Sequence, residues 1–227
     1  MAYTKVLIGV PTAEFSRRAD FHDYFNSMAK PDGTLVISPH GPSPAKNRNI
    51  IIEQALLNNC SHIMFIDDDM AFKSNLLLEL LSHDKDIVSG LYFGRNYPHQ
   101  PMIFDSVDEK GRAFAYFMNG DDDRLIKIAA CGLGVCLIKT HIFEKMEKPW
   151  IRLGELDAQE WCDDLGFFFR ASKITDEVYC DTQCLVGHIG TMILWPNKID
   201  DKWYTVYDTN NTGPNMGAIQ VPQISEV

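Results

Sequence analysis

The hydrophobic pattern predicts alternating strands and helices over the first 95 residues. Four short, continuous apolar runs are typical of strands that are buried on both faces of a parallel sheet. They lie at residues 5–10, 34–38, 61–66 and 86–93. Ser43 and Pro44 supply an N-cap and a first-turn proline for a helix that ends near Asn59, and residues 74–81 form a Leu-rich helix. This alternation predicts an α/β fold, a single Rossmann-like domain with a mostly parallel central sheet.

The pattern becomes less regular after residue 95. Strand-like segments at residues 102–104 and 113–117, separated by polar turns, predict a small antiparallel insertion. A further apolar run at residues 125–138 is interrupted by glycines, and residues 163–174 are predicted to be a helix. From Trp195 onward the chain is polar, and we expect a C-terminal tail.

Composition limits the binding partners and the cellular compartment that can be expected for this chain. The chain has 227 residues and a net charge of −10, which argues against a broad attraction to nucleic-acid phosphates or anionic membranes. The six cysteines include no CxxC pair, so a reducing compartment is the simpler reading. No apolar run reaches the roughly 20 residues of a membrane span, and the N-terminus lacks a signal-peptide core. We therefore expect a cytoplasmic protein, in the host cytoplasm if it is viral.

The acidic triplet Asp67-Asp68-Asp69 directly follows the third apolar run. Ligands of open α/β sheets bind beyond the carboxyl ends of the strands, so the triplet stands where a ligand is expected. Adjacent carboxylates repel one another unless a cation neutralises them, and Mg²⁺ and Mn²⁺ take such oxygens together with substrate phosphates. The alternative is a solvated turn or the start of a helix. The buried strand before the triplet favours the interpretation that these acids bind a cation.

A second triplet, Asp121-Asp122-Asp123, provides a comparison within the same chain. It lies between Asn119-Gly120 and Arg124, a turn signal with no strand before it. We interpret this second triplet as part of a solvated loop.

Six short motifs occur in order along the chain. They are Val10-Pro11-Thr12, Arg48-Asn49, Asp67-Asp68-Asp69, Gly132-Leu133-Gly134, Asp163-Asp164-Leu165-Gly166-Phe167 and Val186-Gly187-His188. This ordered set resembles the GT-A glycosyltransferases, in particular a small, soluble, bacterial or viral member of the inverting family-2-like enzymes. The resemblance implies the GT-A fold over residues 1–195, with a donor-binding half at about 1–95, an acceptor-binding half at about 96–195 and a tail at 196–227.

The resemblance also implies a metal and a donor. Mn²⁺ or Mg²⁺ would be held by Asp67, Asp69 and His188, and would bridge the diphosphate of a UDP-, GDP- or dTDP-sugar. Five residues would contact that nucleotide sugar. They are Pro11, Thr12, Arg48, Asp67 and Asp68.

On the acceptor side, the resemblance makes Asp164 the general base that deprotonates an acceptor hydroxyl, with inversion at the anomeric carbon. Asp163 replaces the glutamate that is usual in this motif. Gly132, Leu133 and Gly134 would border the acceptor pocket together with Asp163. The acceptor would be a glycan or another molecule that carries a hydroxyl group, and a nucleic acid stays among the candidates. The sequence leaves the oligomeric state open.

Each motif also has a structural explanation. Asp163 and Asp164 could favour a helix N-terminus, and His188 could be a structural histidine. Arg48 could form a surface ion pair, and the two glycines could relieve strain in a bulged strand. Large aromatics such as Tyr92, Trp161 and Trp195 are more typical of a core.

Two other functions stay open. A nucleotidyltransferase also combines an α/β half with paired acids, but residues 10–14 contain no glycine-rich phosphate loop. The second alternative is a catalytically inactive glycan-binding module. A dehalogenase-like phosphatase and a Ca²⁺ loop fit the spacing of the acids less well.

Overall fold

A computed structural model describes residues 4–12, 19–95, 99–109, 112–119, 123–153, 163–190, 193–208 and 218–220. The helices are α1 (Ala19–Ser27), α2 (Pro44–Leu57), α3 (Leu76–Ser82), α4 (His141–Glu144) and α5 (Asp163–Ala171). The strands of the first half are β1 (Val6–Gly9), β2 (Leu35–Ile37), β3 (His62–Ile66), β4 (Met70–Phe72) and β5 (Ile87–Leu91). Those of the second half are β6 (Ile103–Val107), β7 (Ala113–Ala115), β8 (Leu125–Lys127), β9 (Ala130–Cys131), β10 (Val135–Lys139), β11 (Val178–Ile189), β12 (Ile193–Ile199), β13 (Lys202–Asp208) and β14 (Ala218–Gln220).

The main sheet is mixed. Within the described residues it has 11 strands, with the order β14-β13-β12-β11-β5-β10-β3-β1-β2, and β4 and β8 pair with β11. Only β1–β2, β1–β3 and β5–β11 pair in parallel among these strands. The remaining pairings of this part of the sheet are antiparallel.

The prediction of a GT-A, Rossmann-like domain with a mostly parallel sheet is therefore wrong. The main cause is β10, which lies between β3 and β5 and runs antiparallel to both. An apolar run that is buried on both faces does not reveal its direction, because side-chain burial is the same for either orientation. The C-terminal hairpins then add further antiparallel strands beside β11.

Five strands in the part of the sheet from β2 to β11 nevertheless run in one direction. β2 and β3 are parallel to β1, both β3 and β5 oppose β10, and β11 is parallel to β5. Their carboxyl ends meet at one edge of the sheet. The amino end of β10 lies at the same edge because β10 runs the other way. We call this the strand-end edge.

Both faces of the sheet are covered. Leu7 faces a cluster that contains Ile51 and Ile52 of α2 and Phe167 of α5, whereas Val6 and Ile8 face the opposite cluster. That opposite cluster includes buried side chains from α1, α3 and β4. They are Phe21, Leu76, Leu77, Leu80, Met70 and Phe72. The period-two alternation of an apolar strand therefore supplies both layers of the core.

Helix α2 begins as its sequence predicts. The Ser43 hydroxyl accepts a hydrogen bond from the Lys46 backbone N–H, and Pro44 occupies the first turn. Asn58 ends the helix, and Asn59 follows with a φ of 52°. Because β2 ends at the strand-end edge, the first turns of α2 lie near that edge.

The predicted antiparallel insertion is confirmed as a small three-stranded sheet with the order β7-β6-β9. The predicted boundary between residues 195 and 196 falls inside β12, so strand pairing continues across it. No helix in the described ranges is long and apolar enough to cross a membrane. Cys60, Cys131, Cys136, Cys180 and Cys184 are buried free thiols.

Candidate functional site

The first acidic triplet leaves β3 at the strand-end edge. The Asp67 N–H donates to the Gly134 carbonyl over 2.8 Å, which joins the end of β3 to the glycine turn before β10. All three carboxylate residues are partly exposed, although the strand before them is buried. The triplet is therefore a partly buried acidic group at the end of a buried strand. In the second triplet, Asp123 is exposed, and Asp121 and Asp122 lie outside the described residues.

Arg48 lies between two of the predicted site acids. Its Nη2 is 3.0 and 3.2 Å from the two carboxylate oxygens of Asp67, and its Nη1 is 3.2 Å from Asp164 Oδ1. The Arg48 side chain is only 6% exposed. The interpretation of Arg48 as a surface ion pair is wrong, because this guanidinium is buried and bridges acids from distant parts of the chain.

The Asp164 carboxylate is held at both oxygens. Oδ1 accepts from Arg48, and Oδ2 accepts from the Leu133 backbone N–H at 3.0 Å. Asp164 lies in the first turn of α5, and its side chain is 20% exposed. The two donors fix the orientation of the carboxylate, and its partial exposure leaves it accessible to a group that would transfer a proton to it.

Opposing effects act on the pKa of Asp67. Burial raises the pKa of this carboxyl, and the nearby charges of Asp69 and Asp68 raise it further, while Arg48 lowers it. The net pKa lies above the ordinary value for aspartate. Because the ionised form of Asp67 is disfavoured, an additional cation beside it would stabilise that ionised form.

Asp69 and His188 approach each other through strand pairing. Met70 of β4 is opposite His188 of β11, and the Ile189 N–H donates to the Asp69 carbonyl over 2.7 Å. This brings His188 Nε2 to 3.5 Å from Asp69 Oδ2. His188 Nδ1 is 3.0 Å from the Phe93 carbonyl, which can only accept, so Nδ1 carries the proton. In the neutral ring, Nε2 therefore presents its lone pair toward Asp69.

The predicted metal ligands are thus only partly grouped. Across the described residues, no set of three His, Cys, Asp or Glu side chains converges on one ion position. Asp69 and His188 face each other, whereas Asp67 is engaged by Arg48. Mg²⁺ commonly binds one or two protein ligands together with waters and substrate phosphates. The orientation of His188 by a backbone carbonyl is also typical of a metal ligand, so this pair fits a divalent ion that is completed by a phosphate.

The two glycines of the predicted acceptor border make room for Tyr92. A Cβ on Gly132 would lie 2.0 Å from the Tyr92 hydroxyl oxygen, and a Cβ on Gly134 would lie 2.9 Å from it. The Gly134 N–H donates to the same hydroxyl at 3.1 Å. Burial raises the pKa of Tyr92 well above its usual value, with the charges of Asp164 and Asp67 adding to the effect. The glycine turn therefore supports a buried tyrosine directly beneath the two acids.

The first loop and α2 are joined by side-chain amides. Pro11 and Thr12 are buried, and the Thr12 carbonyl accepts from Asn47 Nδ2 at 3.0 Å and from the Gly41 N–H at 3.1 Å. Asn49 accepts from the backbone N–H groups of Trp150 and Ile151 and donates to the Ile151 carbonyl. Consecutive residues of α2 therefore anchor the β1 loop, the acids and the segment that precedes α5.

One residue at this edge was missed by the sequence interpretation. Arg95 follows β5, and its Nη1 is 3.0 Å from Asp69 Oδ2. The sequence pattern that indicates Arg95 is the same one that identified the acidic triplet. In both cases a charged residue follows a buried apolar run. Tyr92, which the sequence placed in the core, is buried but contacts the site. The side chain of Asp163 and all of Trp161 lie outside the described residues.

No protein-family model matches this chain, and no curated protein sequence does. The chain is similar in structure to a protein described as A197 from STIV, in a crystal structure, with a TM-score of 0.61 and 16% sequence identity. The similarity covers 99% of this chain and 98% of that one. The fold is therefore shared over nearly the whole length, and at this identity the likeness concerns the fold alone.

Proposed function

We propose that this chain is a metal-dependent glycosyltransferase that moves a sugar from a nucleotide-sugar donor to an acceptor hydroxyl. The observation that carries the proposal is the bridge from Arg48 to Asp67 and Asp164. It joins an acid of the donor-side motif to the acid proposed as general base. The proposal rests on the residues of the site and not on the sheet topology, because one fold can support many different functions.

The donor side is supported by Asp69 and His188. The carboxylate and the imidazole Nε2 are 3.5 Å apart, and the Phe93 carbonyl fixes the ring orientation. These two side chains would hold Mn²⁺ or Mg²⁺ against the diphosphate of a UDP-, GDP- or dTDP-sugar. When bound, such an ion supplies Lewis-acid stabilisation of the charge on the leaving nucleotide.

The acceptor side is supported by Asp164. Arg48 and the Leu133 N–H hold this carboxylate in a fixed orientation. In the proposed step, an Asp164 oxygen takes the proton of the acceptor hydroxyl while the hydroxyl oxygen attacks the anomeric carbon. The bond to the nucleoside diphosphate breaks in the same displacement, and the anomeric configuration inverts.

The remaining assignments stay predictions. Pro11 and Thr12 would border the nucleotide, Asp68 would face its ribose, and Gly132 and Gly134 would shape the acceptor side through Tyr92. We expect a glycan or another hydroxyl-bearing acceptor, with a nucleic acid as a further candidate, and a cytoplasmic location.

An inactive glycan-binding module is the second candidate, and one observation favours it. Asp67 is paired with Arg48, and Asp69 is paired with Arg95. Both acids that the resemblance assigned to the metal therefore already have a protein cation beside them. A module of this kind would bind sugars without releasing a nucleotide.

The deciding experiment measures donor binding and donor cleavage together. Purified protein is titrated with UDP-, GDP- and dTDP-sugars in Mn²⁺, in Mg²⁺ and in EDTA by calorimetry, and released nucleotide is quantified. We expect binding and slow release with at least one donor, both abolished by EDTA and by Asp69→Asn. The exposed Asp105→Asn variant is the matched control. Failure to bind any donor in the presence of metal would falsify the proposal, and pyrophosphate release from a nucleoside triphosphate and a sugar phosphate would indicate a nucleotidyltransferase.

A further inference from the structure

Arg95 forms a partly exposed ion pair with Asp69 at the strand-end edge. Its guanidinium lies 3.0 Å from Asp69 Oδ2, and its side chain is 48% exposed while that of Asp69 is 16% exposed. The same oxygen of Asp69 is 3.5 Å from His188 Nε2. Arg95 therefore occupies the oxygen that the proposed divalent ion would use.

The two arginines of the site differ in how firmly they are held. Arg48 is 6% exposed and contacts two partly exposed carboxylates, so removing its charge would leave two neighbouring acids without the cation that they share. Arg95 is half exposed, and the Asp69 carboxylate is its one ion-pair partner among the described residues. Because the Arg95 guanidinium is half exposed, water can solvate it when it leaves Asp69, whereas the Arg48 guanidinium has almost no access to water.

The backbone beneath Arg95 is anchored. The Gly94 N–H donates to the Gln100 carbonyl over 2.9 Å, and the Gly94 carbonyl lies 3.0 Å from His99 Nδ1, which donates to it. Phe93 pairs with Pro101 in an isolated bridge. An exchange of partner by Arg95 would therefore be a side-chain rotation on a fixed support.

We propose that Arg95 is a diphosphate-binding residue that neutralises Asp69 in the absence of ligand and transfers to the donor's diphosphate when the metal binds. The guanidinium geometry suits two phosphate oxygens, and the metal takes over the carboxylate that Arg95 releases. This inference rests on the proposed function, because the donor diphosphate is its ligand. The metal and Arg95 would compete for the Asp69 carboxylate, but they would bind the diphosphate together. Loss of Arg95 should therefore strengthen binding of the metal alone and weaken binding of the diphosphate.

The test measures two affinities with opposite expected changes. Calorimetry is performed with Mn²⁺ alone, and then with UDP and with GDP at saturating Mn²⁺, on the wild type, Arg95→Ala and Arg95→Lys. We expect Arg95→Ala to bind Mn²⁺ alone about 2- to 5-fold more tightly, because the competing cation is gone. The same variant should bind at least one nucleoside diphosphate roughly 10-fold more weakly or worse, with Arg95→Lys between the two.

Arg112→Ala is the control, since Arg112 is exposed and pairs with Asp108 in the small sheet's hairpin. Thermal unfolding of each variant verifies folding, and Arg95→Lys keeps the charge if Arg95→Ala is unstable. The inference is overturned if the wild type binds Mn²⁺ and a nucleoside diphosphate but Arg95→Ala has unchanged affinity for either. If the wild type binds neither, the proposed function itself fails, and this inference with it.

Discussion

Arg48 and Asp164 form an ion pair 3.2 Å long between residues that are 116 positions apart in the sequence. The other guanidinium nitrogen of Arg48 binds Asp67. One buried cation therefore connects the end of β3 to the start of α5, and the site acids share its charge. The stability of this region and its proposed chemistry therefore depend on the same side chain.

Replacement of Arg48 should destabilise the protein. We expect Arg48→Ala to lower the free energy of unfolding by up to about 3 kcal/mol, the low end of the range for broken buried pairs, because both carboxylates are partly exposed. Denaturant unfolding measures the change. Arg112→Ala, which breaks an exposed pair, should cost under about 1 kcal/mol. Equal effects of the two variants would contradict the bridging role.

Neutralisation of Asp164 should separate chemistry from binding. Asp164→Asn keeps the shape of the side chain but cannot accept the acceptor's proton, so we expect sugar transfer to fall by roughly 10²- to 10⁴-fold. Donor affinity measured by calorimetry should change little. Asp176→Asn, whose parent side chain is 86% exposed, serves as the control. Near-normal transfer by Asp164→Asn would mean that the base has been wrongly assigned.

The fit of Tyr92 against the glycine turn can be tested by a double-mutant cycle. Gly132→Ala would place a Cβ 2.0 Å from the Tyr92 hydroxyl, and overpacking of this kind costs about 1–3 kcal/mol. Tyr92→Phe removes that oxygen, so the double variant should recover part of the loss. The ring Cζ is 3.1 Å from the new Cβ, so full recovery is not expected. Simple additivity of the two changes in unfolding free energy would refute the steric account.

Asp181 should make stability depend on acidity. This buried carboxylate accepts from Arg124, His83 and the Gln183 N–H beside the irregularity in β11. Burial raises its pKa, but the hydrogen bonds from Arg124, His83 and Gln183 outweigh burial, and the pKa lies below the ordinary value. Because the folded-state pKa is the lower one, the stabilisation is present above about pH 4, the unfolded value, and is lost as the pH falls through the folded value.

Asp181→Asn tests this dependence. At neutral pH we expect a loss of about 1–3 kcal/mol in the free energy of unfolding, because the buried side chain loses its charge-assisted hydrogen bonds with Arg124 and His83. The difference from the wild type should shrink as the pH falls below about 4, where the carboxylate becomes protonated in the unfolded state while it stays ionised in the folded state, until the pH reaches the lower folded-state pKa. Urea unfolding from pH 7 to pH 3 follows both proteins, with Asp105→Asn as the exposed control. A difference that stays constant over this range would exclude the electrostatic explanation.

Local patterns in the sequence identified much of the site. A charged triplet after a buried apolar run indicated the end of β3, and the same reasoning applied to Leu91 onward would have identified Arg95. Ser43 and Pro44 predicted the start of α2, which carries Arg48. These features depend on near neighbours in the chain, so the sequence alone contains the information.

The tertiary structure alone decided which strands are parallel and which charges meet. The direction of β10 depends on the path of the chain between distant elements, and an apolar run packs equally well either way. The bridge from Arg48 to Asp67 and Asp164, the contact of Tyr92 with the glycine turn and the ion pair of Arg95 with Asp69 all join residues from separate elements. The sequence by itself determined which residues carry charge at strand ends. Only the packing of those ends determined which charges neutralise each other, because Coulomb interactions and burial depend on distance in space.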